Sequence, residues 1–114
     1  MHPIHYNGRK FRTVQNTSNG EVNEATMFLY YQKDQIVWAD YAGGGIVVGH
    51  LVATVDREGA LDMRYHHIND QGELMTGICR SRPEVLASGK LRMIEEWEWT
   101  CKDYSKGSSI LEEV

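Results

Sequence analysis

The sequence predicts an all-β protein, an eight-stranded antiparallel up-and-down meander closed as a small calycin- or lipocalin-like barrel. Three observations lead there. Seven clusters of Gly, Asn, Asp, Ser and other polar residues divide the chain into eight stretches rich in β-branched and aromatic side chains. No window of about 11 residues carries the i, i+3, i+4, i+7 apolar spacing of an amphipathic helix. The connections are too short for the crossover that parallel neighbours need, so neighbours in sequence should pair antiparallel. A meander with two free edges invites edge pairing, and closing the sheet removes both. A flatter sheet closed by dimerisation meets the same constraint, which leaves monomer and homodimer open.

The expected strands run Lys10–Asn16, Thr26–Gln32, Ile36–Tyr41, Ile46–Val55, Leu61–Ile68, Leu74–Ser81, Lys90–Cys101 and Ser108–Glu113. Residues 1–8 precede the first and are expected to fray, leaving His2 and His5 in solvent. Pro83 to Ala87 should form a single helical turn or a wide loop. Gly43-Gly44-Gly45 followed by Gly49 has the composition of a phosphate-binding loop, but such loops open onto a helix N-terminus. Here the run leads into Ile46-Val47-Val48, so a hairpin turn is predicted. Ser108 and Ser109 have no nucleophile-elbow context and read as strand or turn residues.

At 114 residues the chain is one domain, 1–114, with room for one core, and its 12 basic and 16 acidic side chains give a net charge of −4. No Lys/Arg cluster supplies a footprint for nucleic acid, so none is expected as a partner. An apolar run of about 18 residues is absent, as is a charged, apolar leader, so a cytoplasmic protein without a membrane partner is expected. Cys79 and Cys101, the two cysteines, lie outside any CxxC pair and are expected to be reduced thiols.

Hairpin geometry fixes which residues face one another. A two-residue turn at Asp34-Gln35 sets Phe28 opposite Tyr41 and Tyr30 opposite Ala39. A turn centred on Gly44 sets Tyr41 opposite Val47. The next two turns set Leu51 opposite Tyr65, Gly49 opposite His67, and Tyr65 opposite Gly77, where an aromatic ring covers a glycine. Continuing the face sets Trp97 opposite Cys79 and Cys101 opposite Met75. One face thereby collects Phe28, Tyr30, Ala39, Tyr41, Val47, Gly49, Leu51, Ala53, Leu61, Met63, Tyr65, His67, Met75, Gly77, Cys79, Leu91, Met93, Glu95, Trp97, Trp99 and Cys101. The other holds Asp40, Asp62, Arg64, His66, Thr76, Arg80, Arg92, Glu96 and Glu98. Alternation makes the first face the interior.

That interior contains an acid. A buried carboxylate must be neutralised, paired or kept wet, and His67, Tyr65, Tyr30 and Tyr41 are the inward polar groups available to Glu95. With Trp97 and Trp99 they outline an aromatic-walled site for a small apolar or aromatic ligand. An eight-stranded barrel is just wide enough to hold one small ligand or to be filled by its own side chains. The expected ligand-binding set is therefore Tyr30, Tyr41, Tyr65, His67, Glu95, Trp97 and Trp99, with Glu95 hydrogen-bonded to His67. A module with a filled core that binds partners through its outer faces is the competing arrangement. No catalytic residue, cofactor or metal is assigned: adjacent His66 and His67 leave a strand by opposite faces and cannot share an ion inside the barrel.

The stretches Asn16-Thr17 to Gly20-Glu21, Tyr41 to Gly45 with Gly49-His50-Leu51, Asp62 to His66, Gly72 to Gly77, and Glu95 through Trp97 and Trp99-Thr100 resemble a family of short bacterial proteins that carry the label N-acetylglutamate synthase. The likeness covers nearly the whole chain. The label implies transfer of an acetyl group from acetyl-CoA to glutamate. Acetyltransferases of that activity set the cofactor pyrophosphate on a Gly-containing turn before a helix, and this chain has neither feature. Where the family pattern continues with Ser-Gly-Asp, the chain has Cys101-Lys102-Asp103, and the resemblance assigns no site residues.

Overall fold

The computed structural model describes residues 4–114, which form a closed barrel of eight antiparallel strands in sequential order. They are β1 (Lys10–Asn16), β2 (Met27–Lys33), β3 (Ile36–Gly43), β4 (Ile46–Val55), β5 (Leu61–Asn69), β6 (Leu74–Val85), β7 (Leu91–Trp99) and β8 (Lys106–Glu113). β1 closes the sheet against β8. The expected pairs Phe28/Tyr41, Tyr30/Ala39, Leu51/Tyr65, Gly49/His67, Tyr65/Gly77 and Cys79/Trp97 are all present. Local alternation and turn chemistry therefore suffice to set most of the register.

β4 is the exception. Tyr41 faces Gly49 rather than Val47, because the turn is the two-residue Gly44-Gly45 and β4 carries one extra residue between Ile46 and Val48. This bulge interrupts the alternation. Ile46 points inward, whereas Val47, expected inside, is 62% exposed. Gly43 and Gly44 take positive φ to make the turn, the conformation glycine adopts at least cost. Pro83 lies within β6, opposite Met93, and not in a helical turn or wide loop. The connection is a tight turn closed by Leu86 and Lys90, with Gly89 at positive φ.

Apart from Val47, the expected inner face is buried or, at Tyr65 and Cys101, half-buried. Phe11, Thr13, Val37, Ser81, Ser109 and Leu111 join it. Three inward glycines lie directly opposite large rings: Gly49 opposite Tyr41, Gly77 opposite Tyr65 and Gly107 opposite Trp97. A Cβ at these glycines would lie 2.5, 2.2 and 2.3 Å from the respective ring, so each ring occupies space that only glycine leaves free.

Both ends of the barrel are covered. Residues 4–8, expected to fray, instead pack across the end that carries the β4–β5 turn. Tyr6 is fully buried beside Tyr30, and its hydroxyl donates to the Gly59 carbonyl. The Tyr6 amide donates to Gln32 and the Gly8 amide to the Tyr30 carbonyl. An aromatic ring with a satisfied hydroxyl at the barrel end gains more from burial than the chain terminus loses in freedom. His5 is exposed, as expected, and His2 lies outside the described residues. The opposite end is covered by the connection between β1 and β2, residues 17–26, and the candidate site lies beneath it.

Candidate functional site: a cavity under the loop between β1 and β2

A cavity of about 50 Å³ lies inside the barrel, walled by Phe28, Tyr41, Leu51, Met63, Tyr65, His67, Cys79, Glu95, Trp97, Trp99 and Ser109 and roofed by Gly20, Glu21 and Val22. Six of the seven residues expected at a ligand site therefore meet around one space. Tyr30 does not. It lies deeper, fully buried between the rings of Tyr6, Phe11 and Phe28, because it is two residues further along β2 than Phe28, toward the end that Tyr6 plugs.

The aromatic wall is braced edge to face. Trp97 and Trp99 have ring centroids 5.4 Å apart at 60°, and Trp99 meets Tyr65 at 5.9 Å and His67 at 5.8 Å. Both indole nitrogens are satisfied by the roof and the strand that leads into it. Trp99 Nε1 donates to the Asn19 carbonyl at 3.0 Å and Trp97 Nε1 to Asn16 Oδ1 at 3.3 Å. Asn16 in turn donates to the Val22 carbonyl at 3.0 Å. The tryptophans thus hold the loop as much as they line the cavity.

His67 and Glu95 were expected to bond to each other, and each has other partners. Ser81 and Ser109 lie directly opposite Glu95 on the two flanking strands, and their hydroxyls donate to its carboxylate at 2.8 and 3.0 Å. On β5, His67 has both ring nitrogens engaged, Nε2 with Glu21 Oε1 at 2.7 Å and Nδ1 with the Tyr41 hydroxyl at 2.8 Å. Cross-strand neighbours reach the carboxylate first, and the loop carboxylate reaches the imidazole first. Asn69 fixes the second oxygen of Glu21 at 3.1 Å.

These surroundings set the protonation states. Burial pushes the Glu95 carboxyl up to about 7, against the lowering effect of the two serine hydroxyls. Glu95 therefore exchanges its proton near neutrality. Burial lowers the pKa of His67, and the hydrogen bond it donates to Glu21 opposes that only in part. A neutral imidazole beside the Glu21 carboxylate carries its proton on Nε2 and accepts from the Tyr41 hydroxyl at Nδ1. Desolvation raises the Tyr41 and Tyr65 phenols, so both remain donors. Cys79 and Cys101 are free thiols, and burial raises the Cys79 thiol well above its ordinary value. The cavity thus offers ring faces, one titrating carboxyl and protonated phenols.

Glu21, Asn16, Asn19, Asn69, Ser81 and Ser109 were not singled out as site residues. Ser81 and Ser109 could have been found by extending the inner face across β6 and β8, since each is the direct partner of Glu95. For Glu21 the available signal was weaker: a long polar connection between two strands, containing two acids, Glu21 and Glu24, with nothing to tell them apart.

The family model for avidin-like proteins matches residues 4–114. Comparison with curated proteins and with solved structures returned no match. A closed eight-stranded antiparallel barrel agrees with that family match across the described residues, and the chain belongs to the avidin-like protein family.

Proposed function

We propose that the protein binds one small apolar or aromatic ligand inside the barrel, against Trp97, Trp99 and Tyr65, with Glu95 as its polar contact. The observation that carries this reading is the aromatic-walled cavity with a carboxyl titrating near neutrality in its wall. Membership of a barrel family built around an interior of this width supports it.

Size constrains the ligand. One water needs about 10–15 Å³ of such space, and a benzene-sized guest fits a cavity of about 150 Å³. The cavity of about 50 Å³ holds a few waters or a molecule of a few heavy atoms. A ring-sized ligand therefore enters by displacing the roof at residues 19–22, whose attachments are the hydrogen bonds to His67, Asn69, Asn16 and Trp99.

Tryptophan fluorescence tests the reading. Trp38 is on the outer face, so a Trp38→Phe background leaves only the two cavity tryptophans. Titration with phenol and biotin should give a saturable change for at least one probe, with a matching rise in Tm. Unchanged emission and Tm at millimolar concentrations of every probe would reject the ligand site. Turnover of acetyl-CoA with glutamate by the same sample would instead support the synthase label.

A further inference from the structure

We infer that His50 and His66 form a two-histidine site for a divalent transition-metal ion on the outer face of the barrel, with Asp40 as its positioning residue. The site is separate from the cavity and does not depend on it. Asp40, His50 and His66 are direct cross-strand partners on β3, β4 and β5, all pointing outward and all exposed. The two imidazole centroids are 5.8 Å apart. Two imidazoles sharing one tetrahedral ion at about 2.0–2.1 Å per Zn–N bond have ring centres about 5 Å apart, so a small rotation of exposed side chains completes the pair.

The tautomer is set for coordination. Asp40 Oδ1 lies 2.8 Å from His50 Nδ1, so Nδ1 carries the proton and donates it to the carboxylate. Nε2 is left with its lone pair free. A carboxylate behind a ligating histidine is the usual arrangement around protein-bound zinc, where it fixes the ring and raises its basicity. Among the described residues no three His, Cys, Asp or Glu side chains are placed to hold one ion together. The site is accordingly open, with two protein ligands and the remaining positions left to water or an outside ligand.

Zn²⁺ titration of the tag-free full chain, followed through the histidine ring ¹⁵N resonances, tests the site. The Nε2 signals of His50 and His66 should respond together and saturate at one ion per chain. His50→Gln and His66→Gln should each weaken Zn²⁺ binding at least ~10-fold, and Asp40→Asn about 10-fold, the scale expected of an outer-shell partner. All three side chains are exposed, so the variants keep the fold, which far-UV circular dichroism verifies. Unaltered affinity in either glutamine variant, or a response confined to His2, His5 or His67, would overturn the assignment.

Discussion

Replacing Glu95 with glutamine removes a charge from the barrel while keeping its shape. Ser81 can still donate to the amide oxygen, and the Ser109 hydroxyl can turn to accept from the amide nitrogen, so both cross-strand contacts survive. In the wild-type chain the folded-state pKa is about 7 against 4.5 in the unfolded chain. The folded state therefore holds the proton more tightly. Glu95 favours folding most below about pH 4.5, and that contribution is lost as the pH rises through 7. The difference between 4.5 and about 7 corresponds to about 3 kcal/mol over the full range. Glutamine does not titrate, so the stability of Glu95→Gln relative to wild type should rise by about 3 kcal/mol between pH 4.5 and pH 9. Urea unfolding followed by far-UV circular dichroism at several pH values measures that difference, and titrations common to both proteins cancel. A difference that stays constant with pH would refute the assignment of Glu95 as a buried, desolvated acid.

Three further outcomes follow from the packing. Gly77→Ala sets a methyl group against the Tyr65 ring and should cost about 1–3 kcal/mol, read as a fall in Tm. Tyr6→Ala should cost about 3–5 kcal/mol by emptying the plugged end, whereas Tyr6→Phe, which loses only the bond to Gly59, should cost about 1 kcal/mol; equal and negligible effects in urea unfolding would mean the segment is not part of the fold. Glu21→Gln weakens the attachment to His67 and should speed amide exchange at residues 19–22 several-fold while leaving exchange in the strands unchanged.

The strands and most of the register were legible because each hairpin is short and its inner and outer faces differ in polarity. Phe28/Tyr41 and Tyr65/Gly77 follow from counting outward from a turn. Val47 escaped because a bulge adds a residue without altering local polarity: Ile46-Val47-Val48 is apolar throughout, so the pattern contains nothing to mark where alternation resets. Tyr6 escaped because a terminal segment that returns to plug a barrel end has no periodicity. The inward acid was legible, but its partners were not. Alternation says which face a side chain takes, while the choice between His67 and the two serines depends on lateral distance around the barrel. Glu21 was further out of reach, since the path of an irregular loop is set by what its backbone and side chains can bond to, here the indoles of Trp97 and Trp99 and the imidazole of His67.

The rings laid over Gly49, Gly77 and Gly107 divide control of the interior between two residues, one that a guest would meet and one hidden behind it. Adding a methyl group to a hidden member drives its ring toward the axis and narrows the bore. Trimming the ring instead opens a recess that reaches bare backbone. Calibre is therefore adjustable from the glycine positions behind the rings, where a single codon change shifts a lining ring without altering the identity of any residue that lines the cavity.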